Sequence, residues 1–337
     1  MIKLNKQKSP ILCPNQNDWE SLCVLNPAVL YDEDTHTFTM LYRAAGNDKT
    51  HYIRLGLAQS NDGINFRRTS DLPLVSPDYD GADGGGVEDP RLVKMGDYYY
   101  LTYASRTFAP GQYWRDDKEY FGFQPQYGPT MLINNNSITY LAVSKDLVKW
   151  KKLGRITDSR LDDRDVYVFP ETVNGKFVKI SRPMEWCGNG FDNPNPAVWI
   201  AFSSDLMEWD KPELLMQGEQ WWEDKKIGGS TPPVKCKYGW MMLYHGVATK
   251  DDAYRVGAVI LDKDDPTKII ARTKDFVMEP EFEFETSGYY NGCVFPTGIC
   301  VADGTMYVYY GAADKYVCVA TADFDEFCDN LMEECAL

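Results

Sequence analysis

Nowhere in the 337 residues is there the run of about 20 apolar side chains that a membrane-spanning helix needs. The opening Met1-Ile2-Lys3-Leu4-Asn5-Lys6-Gln7 lacks the apolar core of a secretory signal, so a cytosolic (cytoplasmic) protein is expected. Histidine is scarce, with three residues, and none of the nine cysteines belongs to a Cys-x-x-Cys pair. An odd number of cysteines in apolar surroundings, such as Cys293, Cys300 and Cys318, reads as reduced, buried thiols; it argues against a disulfide framework and against a zinc or other metal site. Basic blocks are missing as well. The formal charge of −15 leaves nothing to release counterions from a nucleic acid or to hold an anionic membrane. Any anion must therefore be caught locally, by a few well-placed cations. Low-complexity segments are absent too.

What is present is a repeat. Leu57-Ala58-Gln59-Ser60-Asn61-Asp62-Gly63-Ile64-Asn65-Phe66 returns as Leu141-Ala142-Val143-Ser144-Lys145-Asp146-Leu147-Val148-Lys149-Trp150 and again as Ile200-Ala201-Phe202-Ser203-Ser204-Asp205-Leu206-Met207-Glu208-Trp209. Weaker echoes stand at Gly257-Ala258-Val259 and Val319-Ala320-Thr321. The repeated alanines are 84, 59, 57 and 62 residues apart, so one unit of about 60 residues tiles the chain and the first interval carries an insertion. Short aromatic or β-branched runs such as Phe38-Thr39-Met40-Leu41-Tyr42, Tyr98-Tyr99-Tyr100-Leu101-Thr102-Tyr103 and Met306-Tyr307-Val308-Tyr309-Tyr310 read as strands, and turn pairs such as Gly96-Asp97 and Asp303-Gly304 precede them. The Ser-x-Asp phrase reads as a polar turn whose aromatic residue returns to pack between units. Five units of about 67 residues each predict an all-β fold, a five-bladed β-propeller, with residues 1–337 forming a single domain.

The insertion, at about 106–136, is too aromatic for a disordered linker. Gln112-Tyr113-Trp114-Arg115-Asp116-Asp117 and the neighbourhood of Tyr120 and Phe121 predict an ordered lid beside a site; the alternative is an inter-blade or subunit contact, and a homo-oligomer stays open.

Chemistry concentrates in Asp83-Gly84-Gly85-Gly86-Val87-Glu88-Asp89-Pro90-Arg91. Pro90 holds Asp89 extended, and alternation along the strand predicts that Glu88 and Asp89 point to opposite sides, one toward the propeller axis and one toward Arg91 or a neighbouring blade. Comparable polar phrases occur in the other units: Asn26-Pro27-Ala28 with Tyr42-Arg43, Asp163-Arg164-Asp165 with Ser181-Arg182-Pro183, Lys226-Ile227-Gly228-Gly229 with Tyr244-His245-Gly246, and Gly311-Ala312-Ala313-Asp314. Singly, Arg43 or Arg182 could be an inter-blade ion pair, His245 a hydrogen-bonded core residue and Asp314 a turn cap. Together, charges interrupting five apolar units at one stage imply a wet cavity on the axis, because an unpaired buried charge is costly.

In that order these phrases, with Val294-Phe295-Pro296-Thr297-Gly298 added, make the chain resemble glycoside hydrolase family 130, the β-mannoside phosphorylases, from about residue 26 to 320. The resemblance implies a five-bladed propeller and an inverting glycoside phosphorylase that cleaves a β-mannoside with inorganic phosphate, giving α-mannose 1-phosphate and the shortened sugar. No metal and no organic cofactor is implied. It makes Asp89 the general acid and Arg164, Arg182, Lys226 and His245 the phosphate residues. Asn26, Arg43, Glu88, Arg91, Asp165, Tyr244 and Asp314 fall at substrate-binding positions. Such an assortment suits phosphorolysis: one acid protonates the leaving oxygen while a cationic nest brings the dianion to the opposite ring face. One departure is Asp165, which stands where some phosphorylases carry asparagine and should turn away toward Arg164 or a sugar hydroxyl. It keeps open an inverting β-mannosidase, in which a second carboxylate roughly 6.5 to 9.5 Å from the acid activates water. A third reading is a non-catalytic carbohydrate-binding propeller in which Trp114, Phe121 and Trp186 stack on sugar.

Overall fold

The computed structural model describes residues 2–337 apart from Lys118, Tyr120 and Gln124. A short strand, β1 (Asn5–Lys6), comes before the first blade, which is β2 (Cys23–Asp32), β3 (Thr37–Ala45), β4 (Ile53–Ser60) and β5 (Arg67–Arg68). The second blade is β6 (Glu88–Met95), β7 (Tyr98–Ser105), β8 (Ile138–Ser144) and β9 (Lys151–Arg155). The third is β10 (Asp163–Val168), β11 (Phe177–Pro183), β12 (Val198–Ser203) and β13 (Glu213–Met216). The fourth is β14 (Lys226–Gly229), β15 (Val234–Lys235), β16 (Gly239–Val247), β17 (Tyr254–Asp262) and β18 (Ile269–Arg272). The fifth holds β19 (Val294–Ala302), β20 (Thr305–Ala312) and β21 (Tyr316–Asp323), and β1 completes it by pairing with β21. The named strands of each blade pair antiparallel, and the fold is the five-bladed β-propeller that the repeat predicts. Among the described residues no helix is long and apolar enough to cross a membrane.

The repeated phrase forms the same turn three times. The hydroxyl oxygens of Ser60, Ser144 and Ser203 each accept from the N–H of the aspartate two residues on. The carboxylates of Asp62, Asp146 and Asp205 each accept from the next two N–H groups but one, at 2.7–2.9 Å. A side chain thus replaces backbone partners where the chain reverses. Phe66, Trp150 and Trp209 then pack into three different inter-blade cores.

Those cores explain why one repeat cannot fold alone. Along β16, Met241 and Leu243 face the fifth blade while Trp240, Met242 and Tyr244 face the third, as a period of two requires. Every blade is apolar on both faces, and each face is buried only when its neighbour is present.

The insertion between β7 and β8 is ordered around a Gly111–Phe121 bridge and crosses to the first blade. Gln112 Nε2 donates to Asp48 O at 2.6 Å, and the Trp114 ring lies 4.8 Å from His51 and 5.0 Å from Tyr289. Tyr120, expected on the lid, lies outside the described residues.

Candidate active site

Three inner strands carry the same irregularity. The ladders slip between Leu25 and Ala28, between Glu88 and Arg91, and between Arg164 and Tyr167. Within these bulges Asn26, Asp89 and Asp165 have φ of 44°, 47° and 57°. Asparagine and aspartate tolerate this left-handed region better than other side-chain-bearing residues, and a bulge re-aims the side chain it carries. All three point into one axial cavity of about 500 Å³. Arg43, Glu88, Arg164, Arg182, Lys226, His245 and Asp314 line the same cavity, so every blade contributes.

On one side Asp89 Oδ1 accepts from Asn26 Nδ2 and Arg43 Nη1, both at 2.7 Å. Burial alone would raise the Asp89 carboxyl; Arg43 and Arg91 outweigh it and hold the pKa below the ordinary value. Glu88 Oε2 stands 3.5 Å from the same Arg43 nitrogen, and its Oε1 3.5 Å from Arg106 Nε. Asp314 behaves oppositely: burial pushes it up to about 6, and Arg43 only partly offsets this.

On the other side lie four nitrogen-bearing residues. Arg164 Nε and Nη2 both donate to Asp162 at 2.7 Å, and Arg182 Nε donates to Asp165 Oδ2 at 2.6 Å. Arg182 Nη1 reaches the Met184 thioether, a weak acceptor that an oxyanion would displace easily. Lys226 Nζ donates to Tyr254 OH at 2.7 Å, and burial pushes its pKa down to about 8. Burial also takes His245 down to about 3, so it offers an N–H rather than a charge; its Nε2 is buried without a hydrogen-bond partner. These are donors held in a desolvated pocket with part of their capacity unused.

Several expectations need correction. Glu88 and Asp89 do not point to opposite sides; both reach Arg43, because the left-handed conformation at Asp89 breaks the strand alternation. Asp165 turns to Arg182 rather than to Arg164, and burial is outweighed so far that its pKa is lowered to about 2. Arg91 is 2% exposed and does not line the cavity. Its Nε donates to Ser230 O at 2.5 Å and its Nη1 to Asp89 O at 2.9 Å, so it braces the Asp89 backbone against the fourth blade. Tyr244 is also outside: it stacks on Trp222 and accepts from Arg272 Nε at 3.2 Å, because its neighbour His245 takes the axial direction. On the lid, Tyr113 lines the cavity, whereas Trp114 packs on the propeller body. Trp186 packs on Trp199 and Phe191, away from the cavity.

Sequence reasoning missed Asp162, Arg106 and Tyr254. Asp162 precedes the quoted Asp163-Arg164-Asp165, so a carboxylate two residues from an arginine was a usable signal. Tyr254 gave none, since only strand pairing brings β17 beside His245, with ring centroids 5.3 Å apart.

The model of glycoside hydrolase family 130, described as β-1,4-mannooligosaccharide phosphorylase, matches residues 13–334. The chain belongs to this family. A 1,2-β-oligomannan phosphorylase of Thermoanaerobacter sp. (strain X514) is 37% identical, with 97% of this chain and 99% of that protein covered. A β-1,2-mannobiose phosphorylase of the same organism is 33% identical, with 96% and 98% covered. Among solved structures, the β-1,2-mannobiose phosphorylase of Listeria innocua in complex with β-1,2-mannobiose superposes with a TM-score of 0.77 over 97% of this chain and 99% of that one, at 22% identity. That likeness confirms the family's propeller.

Proposed function

We propose that this member of glycoside hydrolase family 130 is an inverting β-mannoside phosphorylase acting on β-1,2-linked oligomannosides. The observation that carries the reading is the division of one cavity. Asp89 with Arg43 and Asn26 faces one side, beside Glu88 and Asp314, and Arg164, Arg182, Lys226 and His245 face the other. A phosphate oxygen attacks the anomeric carbon from the side opposite the leaving group. The glycosidic C–O bond breaks, the departing oxygen takes a proton originating at Asp89, and α-mannose 1-phosphate forms. Inorganic phosphate is a co-substrate, and neither metal nor organic cofactor takes part. The β-1,2 linkage rests on the two relatives named above.

Asp165 bears on the choice between phosphate and water. A carboxylate held near pKa 2 by Arg182 is a poor base for water, and it leaves Arg182 oriented toward the anion. Arg43 favours ionised Asp89. A sugar hydroxyl sharing Arg43, together with the charge of an incoming dianion, raises that pKa, so the acid is loaded as the substrates bind.

Incubating β-1,2-mannobiose and its longer homologues with and without phosphate tests the proposal. Mannose 1-phosphate formed only with phosphate is expected; free mannose in both reactions means a hydrolase, and no product means a binding protein. Arg164→Ala and Arg182→Ala should each raise the phosphate KM by about tenfold or more, since a charge-assisted donor is worth roughly 1.5–3 kcal/mol.

A further inference from the structure

Opposite the repeated alanine, four of the five blades place an apolar side chain. Met40 pairs with Ala58, Leu101 with Ala142, Leu243 with Ala258 and Val308 with Ala320, and all four are fully buried. In the third blade the partner of Ala201 is Lys179, which is only 5% exposed. An ammonium between two blades is costly unless it has something polar to bind, and burial pushes the pKa of Lys179 down to about 8. The third blade has thus given up an apolar contact that its own repeat calls for.

Lys179 opens on a side pocket of about 700 Å³ between the second and third blades. Asp163 and Ser181, 4% and 2% exposed, line the pocket with it. Lys179 Nζ donates to Ile156 O at 3.0 Å and lies 4.7 Å from the centre of the Trp209 ring, and Asp163 Oδ1 accepts from Arg182 N at 3.0 Å. Among the described residues, the other Asp163 oxygen, two of the three lysine N–H bonds and the Ser181 hydroxyl have no hydrogen-bond partner. Trp209 Nε1 is also buried without one. The half-buried indoles of Trp186 and Trp209 add aromatic wall. No lining residue is shared with the axial cavity. Asp163 and Ser181 directly precede Arg164 and Arg182, and the alternation along β10 and β11 turns the two pairs to opposite faces.

Four basic and four acidic side chains line the pocket, so it selects neither an anion nor a cation. A carboxylate, an ammonium and a hydroxyl with spare hydrogen-bonding capacity suit a ligand rich in hydroxyl groups, and the indoles suit the apolar C–H face of its ring. We propose that the side pocket is a second, non-catalytic sugar site that holds a neutral hexopyranose, back to back with the axial cavity across β10 and β11. Taking that hexopyranose to be part of a β-mannoside rests on the reading above.

The test titrates β-1,2-mannobiose, and mannose separately, into the full-length protein in phosphate-free buffer by calorimetry, with Lys179→Met and Trp209→Ala alongside. Methionine stands at the matching position of the first blade, so Lys179→Met restores the repeat and should keep or raise the melting temperature. The wild type should bind two disaccharides per chain. Each variant should weaken the second by about tenfold or more while kcat and KM with phosphate hold. Occupancy of the second site by mannose as well would identify a free hexose, and not only a chain end, as a ligand. One disaccharide per wild-type chain overturns the proposal and leaves the phosphorylase reading standing. So does a second sugar that survives in folded Lys179→Met and Trp209→Ala, or a loss of both sugars together. If the second sugar behaves as expected but no mannose 1-phosphate forms, the side site stands and the phosphorylase reading falls.

Discussion

At Asp89 a carboxylate is proposed to supply a proton while two arginines favour its charged form, and the left-handed backbone that aims it is itself unusual for a non-glycine residue. Asparagine suits that backbone and keeps the acceptor for Arg43 but has no proton to give. Asp89→Asn should therefore lower kcat by roughly 10² to 10⁴ while the melting temperature holds; near-normal turnover in the folded variant would move the acid elsewhere. Asp163, next to Arg164 in the chain, points away from the cavity. It accepts from Arg182 N at 3.0 Å, and burial pushes its carboxyl from 3.8 up to about 7. Between those values the folded chain holds a proton that the unfolded chain has released, so stability falls as pH rises from about 4 to 7 and then levels off. Asp163→Asn keeps the acceptor and removes the titration. Thermal unfolding across this range should show the variant gaining on the wild type with rising pH, by on the order of a few kcal/mol at most. Most cavity residues were legible from charge interrupting apolar runs. Arg91 and Tyr244 were not separable from them, because the direction of a side chain depends on where a bulge resets the alternation.

Among the elements, the Ser-x-Asp turn was the most legible, since its hydrogen bonds are made within six consecutive residues, Ser60 to Asn65 in the first blade. The lid was legible as ordered but not in its contacts. Its aromatic residues divide between docking and lining: Trp114 wedges between His51 and Tyr289, and Tyr113 reaches the cavity. Trp114→Ala should loosen the lid without touching the anion side. The expected result is a higher KM for the oligosaccharide with the phosphate KM unchanged, measured by varying each substrate against saturating amounts of the other. A parallel rise in both would mean that the lid supports the whole cavity.

For the whole molecule, the ring is closed by a strand from the other end of the chain. β1 pairs Asn5 with Thr321 and Lys6 with Ala320, and Ile2 and Leu4 enter the core between the fourth and fifth blades. Lys6 Nζ donates to Glu285 Oε2 at 2.7 Å, and Glu285 is fully buried. Deleting residues 2–7 removes the Lys6 ammonium from that buried carboxylate, leaving it the Tyr310 hydroxyl and the N–H groups of Glu281 and Phe282, and should lower the calorimetric melting temperature. An unchanged melting temperature would show that the ring holds without this closure.

The sequence by itself determined the blade number, the turns and the set of charges, because period-two alternation, Ser-x-Asp hydrogen bonding and the repeat interval are local properties written in consecutive residues. Only the tertiary structure decided which charges meet. Asp89 is 46 residues from Arg43, and Arg91 is 139 from Ser230. Their encounter depends on five blades closing into a ring, and on three backbone bulges that turn an asparagine and two aspartates toward its axis.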